Sequence, residues 1–283
     1  MDAAGPNAEQ ITFWNDKSGP KWVTEQARLD AMIAPYGAQA MAALAPRAGE
    51  HIVDVGCGCG ETALELGRRV TERGSVLGVD VSEPMLARAR ERAAAGGLAH
   101  LRFVAADGQT HRFAPDAADA LFSRFGVMFF ADPSAAFANL RTTLRPGGRL
   151  AFVCWQPMTE NPWMGVPLRA TASILPAKPP PPPDAPGPFS FGDRERVASV
   201  LGRAGFRDVA FDAFTPDIVV GGGSDLDATV AFVLQLGALS AALGDAEPDV
   251  VAQVAAAVRD AIAPFETPRG IVMPSAAWVV TAR

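Results

Sequence analysis

The chain has 283 residues, of which 49% are hydrophobic and 20% are charged, as is usual for a globular protein with a substantial core. Its net charge of −6 argues against a nucleic-acid partner, because phosphates favour a basic surface. No run of about 18 apolar residues appears, and the polar N-terminus lacks the pattern of a secretory signal. We therefore expect a cytoplasmic protein that acts on a small molecule, has no membrane partner and is compatible with a homodimer.

The three cysteines are too few for a paired disulfide framework. Cys57 and Cys59 lie two residues apart, but no cluster of cysteine and histidine residues completes a zinc site. The sequence therefore predicts no bound metal, and it predicts that these two cysteines are small residues that fill space in a loop.

From residue 51 onward, short apolar runs alternate with segments of helical periodicity, which is typical of a parallel sheet covered by helices. Ser82, Asp132 and Asp193 are each placed to cap a helix. The helix after Asp132 is predicted to extend to Leu144, where residues 146–148 (Pro-Gly-Gly) stop it. Strands are predicted at residues 51–56, 75–80, 101–106, 118–123, 149–155, 209–214 and 278–281.

Three segments lie outside this alternation and suggest the domain organisation. Residues 1–45 contain a helix begun by Ser18 and are predicted to form a lid, followed by an α/β domain over residues 46–215. Residues 156–192 form an insertion with an extended proline run at 179–183. Residues 216–270 are predicted as a helical cap insertion with a glycine hinge at 221–223, and residues 271–283 as the last strand.

The most informative stretch runs from Asp54 to Gly60. Gly56, Gly58 and Gly60 follow a predicted strand and open a helix, so the backbone can turn tightly against a ligand. Glu61 stands where a dinucleotide fingerprint would place a further glycine. Asp54 before the first glycine would repel a pyrophosphate but could hold a cationic ligand.

This stretch resembles the first motif of class I S-adenosylmethionine-dependent methyltransferases. The resemblance implies that the loop from Asp54 to Gly60 accepts the methionine part of S-adenosylmethionine. It also implies that Asp80 binds the ribose hydroxyls, which suits a carboxylate with two acceptor oxygens. Asp107 and Gly108, beyond the third strand, match the segment that receives the adenine amino group in that family.

Two further segments extend the resemblance over residues 48–155. Ser123, Arg124 and Phe125 resemble the corresponding segment of the quinone-biosynthesis (ubiquinone and menaquinone) methyltransferases, and residues 144–148 resemble the turn before their fifth strand. The family implies a doubly wound, mostly parallel, seven-stranded Rossmann-like sheet whose last strand is antiparallel. The predicted cofactor-binding residues are Asp54, Gly56, Cys57, Gly58, Gly60, Asp80, Val81, Met85, Asp107, Gly108, Ser123, Arg124 and Phe125.

The sequence does not allow any residue to be named as the chemical catalyst. His111 is the best-placed histidine and could act as a general base, although a packing role is the stronger reading. Methyl transfer does not require such a group, because aligning a nucleophile with an activated methyl group already accelerates the reaction. The acceptor, a secondary metabolite or quinone-like precursor, could be methylated on oxygen, nitrogen or carbon.

Two other functions remain open at this stage. A non-catalytic domain could bind S-adenosylmethionine as a regulatory ligand or scaffold. A nicotinamide-dependent oxidoreductase on the same fold is disfavoured, because it would typically use a Tyr-Lys pair. The only tyrosine, Tyr36, precedes the sheet, and the lysines are Lys17, Lys21 and Lys178.

Overall fold

The computed structural model describes residues 5–176, 182, 185–235, 237–244 and 246–283. The predicted proline run at 179–183 lies outside these ranges except for Pro182, which has no regular structure. Lys178 also lies outside them. No helix in the described part of the chain is long and apolar enough to cross a membrane.

Seven strands form the main sheet, and the predicted doubly wound α/β fold is confirmed. Their bounds are β1 His51–Val55, β2 Ser75–Asp80, β3 Leu101–Ala105, β4 Ala118–Arg124, β5 Leu144–Trp155, β6 Ala210–Phe214 and, last in the chain, β10 Ala277–Ala282. The spatial order is β3–β2–β1–β4–β5–β10–β6, and only β10 runs antiparallel to its neighbours. The order reverses between β1 and β4, so a ligand crevice is expected beyond their carboxyl ends.

Helices α4 Glu61–Val70, α5 Glu83–Ala95, α6 Pro133–Arg141 and α8 Arg194–Arg203 connect the strands. Asp132 and Asp193 cap their helices, since each side chain accepts a hydrogen bond from a backbone N–H in the first turn. Ser82 precedes α5 as predicted, but its hydroxyl donates to the Trp14 carbonyl instead of capping the helix. This bond ties the N-terminal segment to the end of β2.

The prediction that Pro-Gly-Gly ends the helix after Asp132 is wrong. Helix α6 already ends at Arg141, and β5 begins at Leu144. Ala118 pairs with Leu144 but Ala120 pairs with Arg149, so the glycines form a bulge inside β5. Gly147 adopts a φ of 81°, a backbone conformation that suits such a bulge. The helical spacing of Leu144 concealed a buried position in a strand.

The N-terminal segment forms several short helices and one long one. It contains α1 Ala8–Thr12, a π-helical turn Phe13–Lys17, α2 Ser18–Thr24 and α3 Gln26–Leu44. The predicted helix from Ser18 is therefore divided at Glu25. Leu29 and Ile33 on α3 are buried, and α3 packs on β4, β5 and β10 near the reversal of strand order.

The segments after β5 and β6 form a second group of elements that packs against α3. It comprises the helices α7 Pro162–Ala170, α9 Leu226–Leu234, α10 Gly237–Leu243 and α11 Pro248–Ile262, and the short strands β7 Asp217–Val219, β8 Glu266–Thr267 and β9 Gly270–Pro274. Gly221, Gly222 and Gly223 all have positive φ, and a Cβ at Gly222 would lie 3.1 Å from the Arg28 carbonyl oxygen. The glycine triplet therefore packs closely on α3.

Phe137 lies at the centre of the aromatic core on one face of the sheet. It is fully buried and its ring contacts Phe130, Phe152, Phe191 and Phe206. We expect Phe137→Ala to lower the free energy of unfolding by about 3–5 kcal/mol, because it removes apolar contacts and leaves a cavity. Urea denaturation measures this change, and Met158→Ala is the control because Met158 is 40% exposed. A loss as small as the control's would contradict this packing.

Candidate cofactor site

The glycine loop after β1 approaches two other backbones at the carboxyl edge of the sheet. A Cβ at Gly56 would lie 2.7 Å from the Cα of Gly126, which follows β4. A Cβ at Gly60 would lie 2.9 Å from the Ala89 Cβ on α5. Both glycines also have positive φ, 69° and 85°, so a side chain is excluded by conformation as well as by space. The loop is thereby held against β4 and α5.

Asp54 is the buried carboxylate of this loop. Its side chain is fully inaccessible, and Oδ2 accepts a hydrogen bond from the Thr62 hydroxyl at 2.6 Å. Oδ1 has no hydrogen-bond partner among the described residues. Burial raises the pKa of Asp54 to about 7, although the Thr62 hydrogen bond and the nearby Arg124 charge oppose the rise. A buried, unpaired oxygen is costly, so it marks a place for a donor or a cation.

Asp80 ends β2 and supports the glycine loop. Its Oδ2 accepts from the Gly58 N–H at 2.8 Å, and its Oδ1 accepts from the Ser82 N–H at 2.9 Å. Burial raises the pKa of this carboxyl, and the backbone hydrogen bonds lower it. Each oxygen still has a lone pair beyond the bond that it accepts.

Asp107, beyond β3, is bound by the N-terminal segment. Its Oδ1 accepts from the Asn7 side-chain amide at 2.7 Å and from the Gln109 N–H, and its Oδ2 accepts from the Thr110 hydroxyl. The Asn7 amide oxygen in turn accepts from the Ala131 N–H. Asn7 therefore bridges the two loops that follow β3 and β4.

The end of β4 carries Ser123, Arg124 and Phe125. The Ser123 hydroxyl accepts from the Gly126 N–H, which fixes the turn that touches Gly56. Phe125 has a φ of 61°, an unfavourable conformation for a bulky residue that often occurs at functional sites. Its ring stacks on Trp155 at a centroid distance of 4.1 Å.

Further hydrogen bonds hold the N-terminal segment against the carboxyl end of β2. The Asn15 amide donates to the Val81 carbonyl and accepts from the Glu83 N–H. The Trp14 ring contacts Phe129 at a centroid distance of 5.1 Å. Together with Asn7, these residues cover the ends of β2, β3 and β4.

The remaining predicted residues lie around this edge. Met85 is buried, and its Cε lies 2.8 Å from where a Cβ of Gly58 would be. Gly108 lies against Phe130.

Burial raises the pKa of the Cys57 and Cys59 thiols, so both stay protonated near neutral pH. His111 packs its ring on Phe113, and its backbone N–H donates to the Asp107 carbonyl, while the Asn139 amide donates to the backbone carbonyls of His111 and Gly108.

The sequence did not assign a role to four residues at this edge: Asn7, Asn15, Thr62 and Asp30, whose carboxylate pairs with Arg124. Asn7 and Asn15 act across 100 and 66 residues of chain, and no local pattern encodes such distances. Thr62 could have been suspected, because a hydroxyl in the first turn of α4 lies close to the end of β1. No sequence motif marks Asp30, whose partners Arg92 and Arg124 lie 62 and 94 residues away in the chain.

Part of the chain is similar to known proteins. Residues 52–148 match the methyltransferase domain family. The chain is similar to nocamycin O-methyltransferase of Saccharothrix syringae (31% identity over 58% of this chain and 61% of that one). It is also similar to the demethylmenaquinone methyltransferase of Thermus thermophilus (40% identity over 39% of this chain and 50% of that one). Both matches span less than two thirds of the relative.

Among solved structures, the YcgJ protein of Bacillus subtilis has the same fold. The superposition has a TM-score of 0.59 and covers 88% of this chain and 97% of that one, with 15% sequence identity. The sheet order and the matched domain agree with the resemblance to class I S-adenosylmethionine-dependent methyltransferases.

The raised pKa of Asp54 predicts a pH-dependent cost to stability. Its folded-state pKa of about 7 exceeds the ordinary value of 3.8, so its contribution to stability is present below about pH 4 and is lost as pH rises through 7. We expect the difference in unfolding free energy, Asp54→Asn minus wild type, to be about 1–3 kcal/mol larger at pH 8 than at pH 4. Urea denaturation at both pH values measures it. Equal differences at the two pH values would show that burial does not raise the pKa of Asp54.

Proposed function

We propose that this chain, which carries a methyltransferase domain and resembles the class I S-adenosylmethionine-dependent methyltransferases, is an enzyme that methylates a small molecule with S-adenosylmethionine as its cofactor. The observation that carries the proposal is the unpartnered oxygen of the buried Asp54, which lies where the glycine loop leaves β1. A cation is the natural partner for it.

The donor and acceptor groups at this edge suit the proposed cofactor. When bound, S-adenosylmethionine supplies a methyl group on a sulfonium, and it also carries an ammonium but no phosphate. Asp54 would accept the ammonium, directly or through water, and it would repel a phosphate. Asp80 has lone pairs for two ribose hydroxyls, and Asp107 has an oxygen, Oδ2, with capacity for an adenine amino group.

The acceptor would lie on the side of β4 away from the glycine loop, next to a group of aromatic residues. Tyr36 on α3 contacts the rings of Phe125, Trp155 and Phe214 at centroid distances of 5.5, 4.8 and 5.5 Å. These three residues stand at or just beyond the carboxyl ends of β4, β5 and β6. Tyr36, Phe125 and Trp155 are buried, so an acceptor would meet the edge of this aromatic cluster, which favours a flat, hydrophobic body such as a secondary metabolite or quinone-like precursor.

Alignment of the acceptor with the cofactor's methyl group would contribute more to the reaction rate than a protein base. Burial raises the pKa of Tyr36 to about 12, so its hydroxyl remains protonated and cannot serve as a base at neutral pH. Phe125 and the two rings that contact it, those of Tyr36 and Trp155, would instead exclude water and hold the acceptor against the methyl group. His111 remains the weak candidate for a base.

The remaining proposals concern partners, location and domain roles. The acidic net charge favours a small acceptor over a nucleic acid, and we expect a cytoplasmic location. A homodimer remains compatible with the chain. We propose that residues 1–45 act as a lid and that residues 216–270 help to form the acceptor pocket.

The proposed function predicts cofactor binding that is specific for the S-adenosyl ligands. S-adenosylmethionine and S-adenosylhomocysteine should each stabilise the protein by about 2.7 kcal/mol at a hundredfold excess over the dissociation constant, and NAD should not. Thermal unfolding and calorimetry measure this. Methyl-labelled cofactor and a panel of phenols, amines and quinone precursors then test transfer.

The outcomes separate the alternatives. Stabilisation by NAD alone would contradict the proposal and favour an oxidoreductase. Binding of S-adenosylmethionine without transfer to any acceptor would favour a regulatory or scaffold role. Asp80→Ala should weaken binding about ten- to a hundredfold, whereas Asp119→Ala, at the opposite edge beside His51, should not.

The lid proposal predicts a change in cofactor kinetics. Deleting residues 1–17 removes the bonds of Asn7 and Asn15 to the ends of β2 and β3 but leaves α2 and α3 in place. We expect the dissociation rate of S-adenosylhomocysteine to rise roughly tenfold, since about 1.4 kcal/mol corresponds to that factor. Stopped-flow fluorescence measures the rate. Asp16→Ala, an exposed change in the same segment, is the control, and equal rates in all three proteins would exclude a lid.

A further inference from the structure

We propose that Asp30 is a positioning residue for the cofactor, because it holds the Arg124 guanidinium and so keeps one oxygen of Asp54 free for the cofactor's ammonium group. This inference rests on the proposed function, since it assigns a role within the same site. It gives the N-terminal helix α3 a role in cofactor binding, although none of the predicted cofactor-binding residues lies on that helix.

Asp30 uses both carboxylate oxygens to hold cations that flank the glycine loop. Oδ1 accepts from Arg124 Nη2 at 3.1 Å, and Oδ2 accepts from Arg92 Nη1 at 3.0 Å and from Gln26. The side chains of Asp30, Arg92 and Arg124 are only 15%, 17% and 9% exposed. Water therefore screens these pairs weakly, and their charges must balance within the protein.

Arg92 connects this cluster directly to the glycine loop. Its Nη1 also donates to the Cys59 carbonyl at 2.8 Å, and its Nη2 pairs with Glu61, the first residue of α4. The loop is thus held on one side by a cation whose position depends on Asp30.

Arg124 pairs with Asp30 and lies near a second carboxylate, that of Asp54. A Cβ on Gly37 would lie 3.0 Å from Arg124 Cδ and 3.5 Å from a methyl carbon of Thr62, and Thr62 binds Asp54. Arg124 is close enough for its charge to oppose the rise in the pKa of Asp54. Its hydrogen bond goes to Asp30, however, and no group in the described part of the chain donates to Asp54 Oδ1.

Removing the charge of Asp30 should reverse this preference. A buried guanidinium without a counter-ion is strongly unfavourable, and Asp54 is the neighbouring carboxylate with an unused oxygen. Arg124 would then pair with Asp54 and compete with any ammonium ligand. Asp30 is therefore needed as the counter-ion of the two arginines so that Oδ1 of Asp54 remains available to the ammonium group of the cofactor.

The test compares two ligands that differ at the amino-acid end. S-adenosylhomocysteine carries the ammonium group, whereas 5′-methylthioadenosine has the same adenosine and no amino acid. At pH 8, we expect Asp30→Asn to weaken S-adenosylhomocysteine binding by about tenfold or more in calorimetry, but to change methylthioadenosine affinity by less than about threefold. Glu25→Gln is the matched control, because Glu25 lies next to α3 and pairs only with Arg28 among the described residues.

A second comparison removes the competing cation. In an Arg124→Gln background, Asp30→Asn should cause no further loss of S-adenosylhomocysteine affinity, because no guanidinium remains to occupy Asp54. This pair of variants also decides the matter if Asp30→Asn alone does not fold. A further tenfold loss in this background would overturn the inference.

The results distinguish this inference from the proposed function. If the wild-type protein does not bind S-adenosylhomocysteine, the proposed function fails, and the inference fails with it. If the wild type binds but Asp30→Asn weakens both ligands equally, or neither, only the role of Asp30 is wrong.

Discussion

Asp54 places a carboxylate at the carboxyl end of β1, fully removed from solvent, and the described residues supply a hydrogen-bond donor for one of its oxygens and none for the other. A buried group of this kind costs stability when the site holds no cation. Its surroundings suit a ligand that brings positive charge. The glycines keep the loop backbone close to β4 and α5, and Thr62 orients the carboxylate from the first turn of α4.

The N-terminal segment gives this site much of its polar boundary. Asn7 and Asn15 bind the loops at the ends of the strands, and Asp30 holds the two arginines that flank the glycine loop. Movement of this segment would therefore change both access to the site and its electrostatics. On this account, closure of the segment and binding of a cationic cofactor favour each other, because each completes the other's interactions.

The sequence predicted the sheet well, because alternating strands and helices leave a clear periodicity and because Asp132 and Asp193 cap helices by local hydrogen bonds. It failed at residues 144–148, where a bulge has the spacing of a helix end. It identified the glycine loop from residues adjacent in the chain. It could not show that Arg124 pairs with Asp30, because that choice depends on how α3 lies across the sheet.

The pairing of Asp54 with a cationic ligand is tested most directly by counting the protons released on binding. Asp54 has a pKa of about 7 in the ligand-free protein, and an adjacent ammonium should lower it well below that value. Calorimetry at pH 6.5 in buffers of different ionisation enthalpy should therefore show net proton release on binding of S-adenosylhomocysteine, and almost none with Asp54→Asn. Tight binding with no proton release by the wild-type protein would contradict the account.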